Sequence, residues 1–169
     1  MIFSMHLDVS AIHARVPVEA NPAENDFFVL STMIGGALEE AGAHFTAGGF
    51  GTDEWPVDVG FDLALLLPDV LESLESLTHG QPGELGFVEQ GLQRLVNIEP
   101  VGDQAELRCS SFGAWTPEVP TGSIALRDVI DMLVQFERAV AAGLQVAAPT
   151  LYQRLPSTWA GSIRPAKEG

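Results

Sequence analysis

Three successive stretches between Leu85 and Ser110 alternate apolar and polar side chains, and the chain then changes to a helical period. In the first, Leu85, Phe87 and Glu89 oppose Gly86, Val88 and Gln90. In the second, Leu92, Arg94, Val96 and Ile98 share a face, and in the third Ala105, Leu107 and Cys109 oppose Glu106, Arg108 and Ser110. Val101-Gly102-Asp103 between the last two has the composition of a hairpin turn. Period-two alternation places one face of each strand in a core, so the meander needs an apolar cover. The segment after Ser123 supplies one: Leu126, Val129, Ile130, Leu133, Phe136 and Val140 recur at helical spacing. The predicted helix is capped at Ser123 and runs to Ala142, with Gly143 behind it.

Upstream, residues 2–10 read as a strand, with Phe3, Met5, Leu7 and Val9 on one face. Val16-Pro17-Val18 reads as an extended edge or loop, because Pro cannot donate to a central ladder. Asn21-Pro22-Ala23-Glu24 has the order of a helix start: a capping Asn, Pro in the first turn and Glu three residues after the cap. The stripe Phe27, Leu30, Ile34, Leu38 and Ala41 carries that helix to Gly42. Gly35-Gly36 inside it costs about 1 kcal/mol per residue relative to Ala, which points to close approach by a neighbouring element. Ala43 to Ala47 and Trp55 to Asp62 are predicted to pair as a hairpin around the glycine-rich loop Gly48 to Asp53. In the second of these strands Val57, Val59 and Phe61 face the core, and Asp58, Gly60 and Asp62 face outward. Leu63 to Leu67 fits a strand extension or a helix start. A helix from Pro68 to Thr78 follows, stopped by His79-Gly80-Gln81-Pro82-Gly83. Phe112 to Pro120 is an irregular loop with an aromatic anchor.

The element order β-α-β-β-α-β-β-β-α predicts a single α+β domain, with three helices on a mostly antiparallel sheet of about five to six strands. At 169 residues the chain fits one domain. Residues 1–143 form its body, and 144–169 an extended C-terminal arm. Val146, Leu151, Tyr152, Leu155 and Trp159 are expected to bind that arm to the body or to a partner.

Hydrophobic residues make up 46% of the chain and charged residues 18%, which suits a folded protein. The longest apolar run, Leu63 to Pro68, is far short of the roughly 20 residues of a membrane span. The N-terminal residues carry no basic region and alternate like a strand, which argues against a signal peptide. The lone Cys109 fits a reducing compartment, so a cytoplasmic location is expected.

Charge is the strongest functional clue. The formal net charge is −15, and from Val16 to Gln93 there are fourteen Asp and Glu with no Lys or Arg. Such a surface repels nucleic acid and anionic membranes and attracts basic partners. Acidity also serves solubility alone, and the near absence of Lys beside abundant Ala, Gly, Leu and Val fits a high-GC coding background.

Motifs for chemistry are weak. Asp58 and Asp62, placed on one face of a strand, are about 13 Å apart and cannot share a metal without a bend. Gly48-Gly49-Phe50-Gly51 lacks the GxGxxG and Walker patterns, is followed by acids and has no Lys after it. The histidines His6, His13, His44 and His79 are dispersed, and Cys109 sits on an apolar strand face as a buried structural thiol. No serine lies in a GxSxG elbow. His44, Glu84 and Glu89 are the residues whose meeting in a cleft would open an enzymatic reading. No catalytic residue, metal or cofactor is expected.

The leading expectation is a non-enzymatic interaction protein, physically like the bacterial immunity proteins that inhibit nuclease toxins. Its partner is a cationic protein such as a toxin, met through Phe50, Asp53, Glu54, Trp55, Asp58 and Asp62. In that picture the rings supply binding energy and the carboxylates supply orientation and on-rate. The alternatives are a small enzyme or ligand-binding domain with a pocket near Gly48–Gly51, and an accessory subunit docking through Leu151 to Trp159.

Overall fold

The computed structural model describes residues 1–19, 25–88 and 92–159. Its elements are β1 (Phe3–Asp8), α1 (Phe27–Glu40), β2 (His44–Gly49), a π-helical turn (Val59–Leu63), α2 (Ala64–Thr78), β3 (Gly83–Phe87), β4 (Arg94–Val101), β5 (Gln104–Ser111), β6 (Thr121–Ala125), α3 (Leu126–Ala147) and the single turn α4 (Pro149–Tyr152). They build an α+β domain with two antiparallel sheets, one of two strands and one of four.

The four-stranded sheet has the order β3-β4-β5-β6, each strand paired to the next in sequence. Its central pair follows the alternation: Val96 lies opposite Cys109 and Ile98 opposite Leu107, all four buried. The β3 edge is closed by α2. Ser73 Oγ accepts from Glu84 N at 3.0 Å and donates to Glu84 O at 2.9 Å, and Asp69 Oδ2 accepts from Gly86 N at 2.7 Å. Side chains of a helix thus satisfy backbone groups that an open edge would present to another chain. β6 was not anticipated. Ser123, expected as a helix cap, sits inside this strand, its hydroxyl directed to Gln104.

α3 starts at Leu126, whose N–H donates to Asp103 O, and runs through Gly143 to Ala147 rather than stopping at Ala142. Val129, Leu133, Phe136, Val140 and Leu144 form its buried stripe. Beyond it Leu151, Leu155 and Trp159 are buried, and Trp159 meets Phe27 edge-on with ring centroids 6.4 Å apart.

β1 pairs with β2 from Phe3↔Gly49 to Asp8↔His44, which corrects the expected hairpin of Ala43–Ala47 with Trp55–Asp62. The segment expected as the second hairpin strand is irregular to Asp58 and then helical. Its buried apolar residues, Trp55 and Val59, continue at the same four-residue spacing to Leu63; Asp62 is also buried, and Phe61 is 65% exposed. Local capping decides the matter. Asp58 Oδ1 accepts from Phe61 N at 2.7 Å, and Asp62 Oδ2 accepts in return from Asp58 N at 2.8 Å. This reciprocal arrangement resembles a capping box and stabilises a helix start over a strand. The helix therefore begins well before Pro68, which lies inside α2.

α1 begins at Phe27 with Asp26 as its cap, the carboxylate accepting from Phe28 N at 2.8 Å. The start expected at Asn21 to Glu24 lies outside the described residues. Gly35 does what the glycine pair suggested. A β-carbon there would stand 2.8 Å from Gly60 O and 2.9 Å from the Ala64 β-carbon, so its absence lets α1 touch the π-helical turn.

Candidate functional site

The segment from Gly48 to Asp58 leaves β2 through a knot of backbone contacts. Gly49 N donates to Thr52 O at 2.7 Å and Thr52 N returns a bond to Gly49 O at 3.1 Å. Gly49 and Gly51 have φ of 138° and 92°, values that favour glycine, and Phe50 between them is held at 56°. A left-handed Phe costs about 1–2 kcal/mol, offset here by complete burial of its ring. Phe50 N also donates to Ile2 O at 2.9 Å, and Trp55 N to Ala47 O at 2.8 Å. The loop is a rigid turn pressed against the two-stranded sheet.

That turn drives Trp55 inward, where it gathers aromatic rings around a single cation. Trp55 meets Phe87 edge-on at 5.0 Å, Phe3 at 5.7 Å and Trp115 at 6.1 Å between centroids. Arg94, the first residue of β4, places its guanidinium carbon 3.6 Å from the Trp115 ring centroid and 4.6 Å from that of Trp55. The side chain is 4% exposed, and its Nε and Nη1 have no hydrogen-bond partner among the described residues. Burial pulls its pKa below the usual arginine value. Trp115 is tied in turn to the loop by its Nε1, which donates to Thr52 Oγ1 at 3.2 Å. Two indole faces thus stand where a carboxylate is usual. A desolvated cation–π contact contributes about 2 kcal/mol, so the pair offsets a large part of the cost of burying the charge. Cys109 is buried close by, and desolvation pushes its thiol up to about 11, so it stays protonated at neutral pH.

The expected contact residues are therefore divided. Phe50 and Trp55 are core, at 0% and 1% exposure, and offer no ring to a partner. Asp62 is buried as well, its carboxylate engaged by Asp58 N. Asp53, Glu54 and Asp58 are exposed. Phe61, which the alternating pattern had placed inside, is exposed, and its backbone N–H is bonded to Asp58. The first base after the long acidic run is Arg94, and because it is buried it adds no exposed positive charge to that surface.

Sequence reasoning missed the Arg94 clamp although a signal was present. Arg94 falls on the apolar face of its strand, between Leu92 and Val96, and a base at a core position implies an unusual partner.

Other expectations for chemistry find no shared site. His44 and Glu84 belong to different sheets, and Glu89 lies outside the described residues. Among the described residues no three His, Cys, Asp or Glu are grouped to hold a metal ion, and no helix is long and apolar enough to cross a membrane. Grooves open on the four-stranded sheet between Asn97 and Ser123, between α2 and β3, and between α2 and α3, away from Gly48–Gly51. The chain matches no protein-family model, no curated protein and no solved structure.

Proposed function

We propose that this is a non-enzymatic acidic interaction protein, an immunity-like inhibitor that acts in the cytoplasm by binding a cationic protein such as a toxin. The observation that carries the reading is the run from Val16 to Gln93, with fourteen Asp and Glu and no Lys or Arg. The fold supports it, because Glu39, Glu40, Asp53, Glu54, Asp58, Glu72, Glu75 and Glu84 all reach solvent. Arg94, the first base after that run, is buried in the core and adds no exposed positive charge to the surface. A rigid acidic surface speeds encounter with a basic partner and sets its orientation. Phe61, exposed on the π-helical turn next to Asp58, supplies apolar contact to the partner.

The test starts with affinity capture of the partner from the native host, followed by titration of the purified pair. Raising NaCl from about 50 to about 500 mM should weaken binding at least about tenfold, because exposed charges are screened over that range. Asp53→Asn, Glu54→Gln and Asp58→Asn combined should weaken it further and flatten the salt dependence. A dissociation constant indifferent both to salt and to those three changes would sink the reading.

A further inference from the structure

A groove between the start of α1, α2 and α3 has walls that the acidic-surface reading does not use. It encloses about 680 Å³. Phe27, Pro68, Leu71 and Leu74 give it an apolar floor, and its ionisable members are Glu72, Glu75, His79 and Glu137. Among the described residues no Lys or Arg lines it.

Glu137 is the anomaly. It projects from α3 within the buried stripe, between Phe136 and Val140, and is only 5% exposed. Its carboxylate has no hydrogen-bond or ion-pair partner among the described residues. Its neighbour Arg138 lies on the exposed side of the helix. Burial pushes the Glu137 carboxyl up to about 7. Carboxylates are rarely buried without a partner, since desolvation then goes uncompensated. His79 does not supply one: its Nδ1 donates to Glu75 O at 2.8 Å.

The wall chemistry selects among ligands. An anion would meet three glutamates, and a neutral apolar molecule would leave the buried carboxyl unsatisfied. A cation with an apolar body satisfies both parts of the groove. We propose that this groove is a binding site for a protonated primary amine on an apolar stem. The ammonium group donates to the Glu137 carboxylate, and the stem lies along Phe27, Leu71 and Leu74. Glu72 and Glu75 at the rim add attraction at longer range. The site does not depend on the Asp53–Asp58 surface, so either reading can fail without the other.

Isothermal titration with n-hexylammonium, n-hexanol and hexanoate tests it, with N-acetyl-lysine methylamide as a fourth probe. Hexylammonium should bind saturably to the wild-type protein at pH about 8, at least about tenfold tighter than hexanol, with hexanoate not binding. Glu137→Gln, which keeps the shape of the side chain, should lose about tenfold or more for the amine and leave hexanol unchanged. Wild-type affinity for the amine should also fall as the pH drops from about 8 to about 6, by a larger factor than in Glu137→Gln. The variant comparison separates Glu137 from Glu72, Glu75 and His79, which are the same in both proteins. Binding of the lysine derivative at similar strength would support the site and show that a lysine side chain of a protein fits it. Absence of saturable amine binding, or equal binding by a folded Glu137→Gln, overturns the proposal. If circular dichroism shows that variant unfolded, the wild-type ranking of amine over alcohol over carboxylate decides alone.

Discussion

The guanidinium carbon of Arg94 lies 3.6 Å from the ring centroid of Trp115, and this contact ties the loop before β6 to the first residue of β4. Trp115 also holds Thr52 through its Nε1, so one indole joins three segments of the chain. Trp115→Ala removes a cation–π face, opens space beside a buried charge and removes the hydrogen bond to Thr52. Loss of about 3 kcal/mol is expected in urea unfolding. Arg94→Met, which removes the charge along with its need for partners, should cost clearly less. A Trp115→Ala variant as stable as wild type would show that the clamp contributes nothing to folding.

Two adjacent glycines give predictions of opposite sign. A β-carbon on Gly35 meets Gly60 O and the Ala64 β-carbon below 3.0 Å, and backbone cannot yield cheaply. Gly35→Ala should therefore destabilise by about 1–3 kcal/mol despite better helix propensity. At Gly36 nothing lies within 4 Å of an added β-carbon, so Gly36→Ala should stabilise by up to about 1 kcal/mol. Thermal unfolding of the two variants reads both signs in one experiment.

What could be read from sequence follows from how local each cause is. The β4–β5 pair and the α3 stripe are set by side-chain periods within a single element, and both stand where the pattern put them. β6 escaped because Thr121-Gly122-Ser123-Ile124-Ala125 carries one large apolar residue and no alternation to detect. The segment Trp55 to Asp62 misled because Val57, Val59 and Phe61 mimic a strand, whereas Trp55, Val59 and Leu63 carry the burial. As a contact surface it keeps its exposed acids and loses its expected rings. The Arg94 clamp depends on Trp55 and Trp115, distant in the chain from Arg94 and from each other, and no window of sequence brings them together. The groove at Glu137 is hidden for the same reason, since its walls come from three helices.

The carboxylates of Asp58 and Asp62 act on the turn before they act on any partner. Asp58→Ala removes the acceptor for Phe61 N, and about 1 kcal/mol of stability should go with it. Asp58→Asn keeps an acceptor oxygen at that position and should cost only a few tenths. Chemical denaturation of the two variants separates capping from charge. A loss in Asp58→Asn equal to that in Asp58→Ala would mean that the negative charge, rather than the hydrogen bond, holds the turn.

Glu137 should give the protein a pH dependence opposite to that of a salt-bridged acid. Its folded pKa, about 7, lies above the ordinary value of 4.5 because burial penalises the charged form. Between these values the folded state binds more protons than the unfolded state, so stability falls as pH rises. The contribution is fully present below about 4.5, is lost through about 7 and is constant above that. A shift of this size corresponds to about 3 kcal/mol at most. Other groups add their own slopes: burial raises Asp69, and hydrogen bonds from Ser10 lower Asp8. The informative quantity is therefore the difference between wild type and Glu137→Gln. That difference should change by up to about 3 kcal/mol between pH 4.5 and 8, with the variant the more stable protein at pH 8. Hexylammonium bound at Glu137 should narrow the gap at pH 8, because it returns to the carboxylate the partner that burial removed. If the two proteins show parallel stability curves, the carboxyl is solvated in the folded state and its displaced titration is absent.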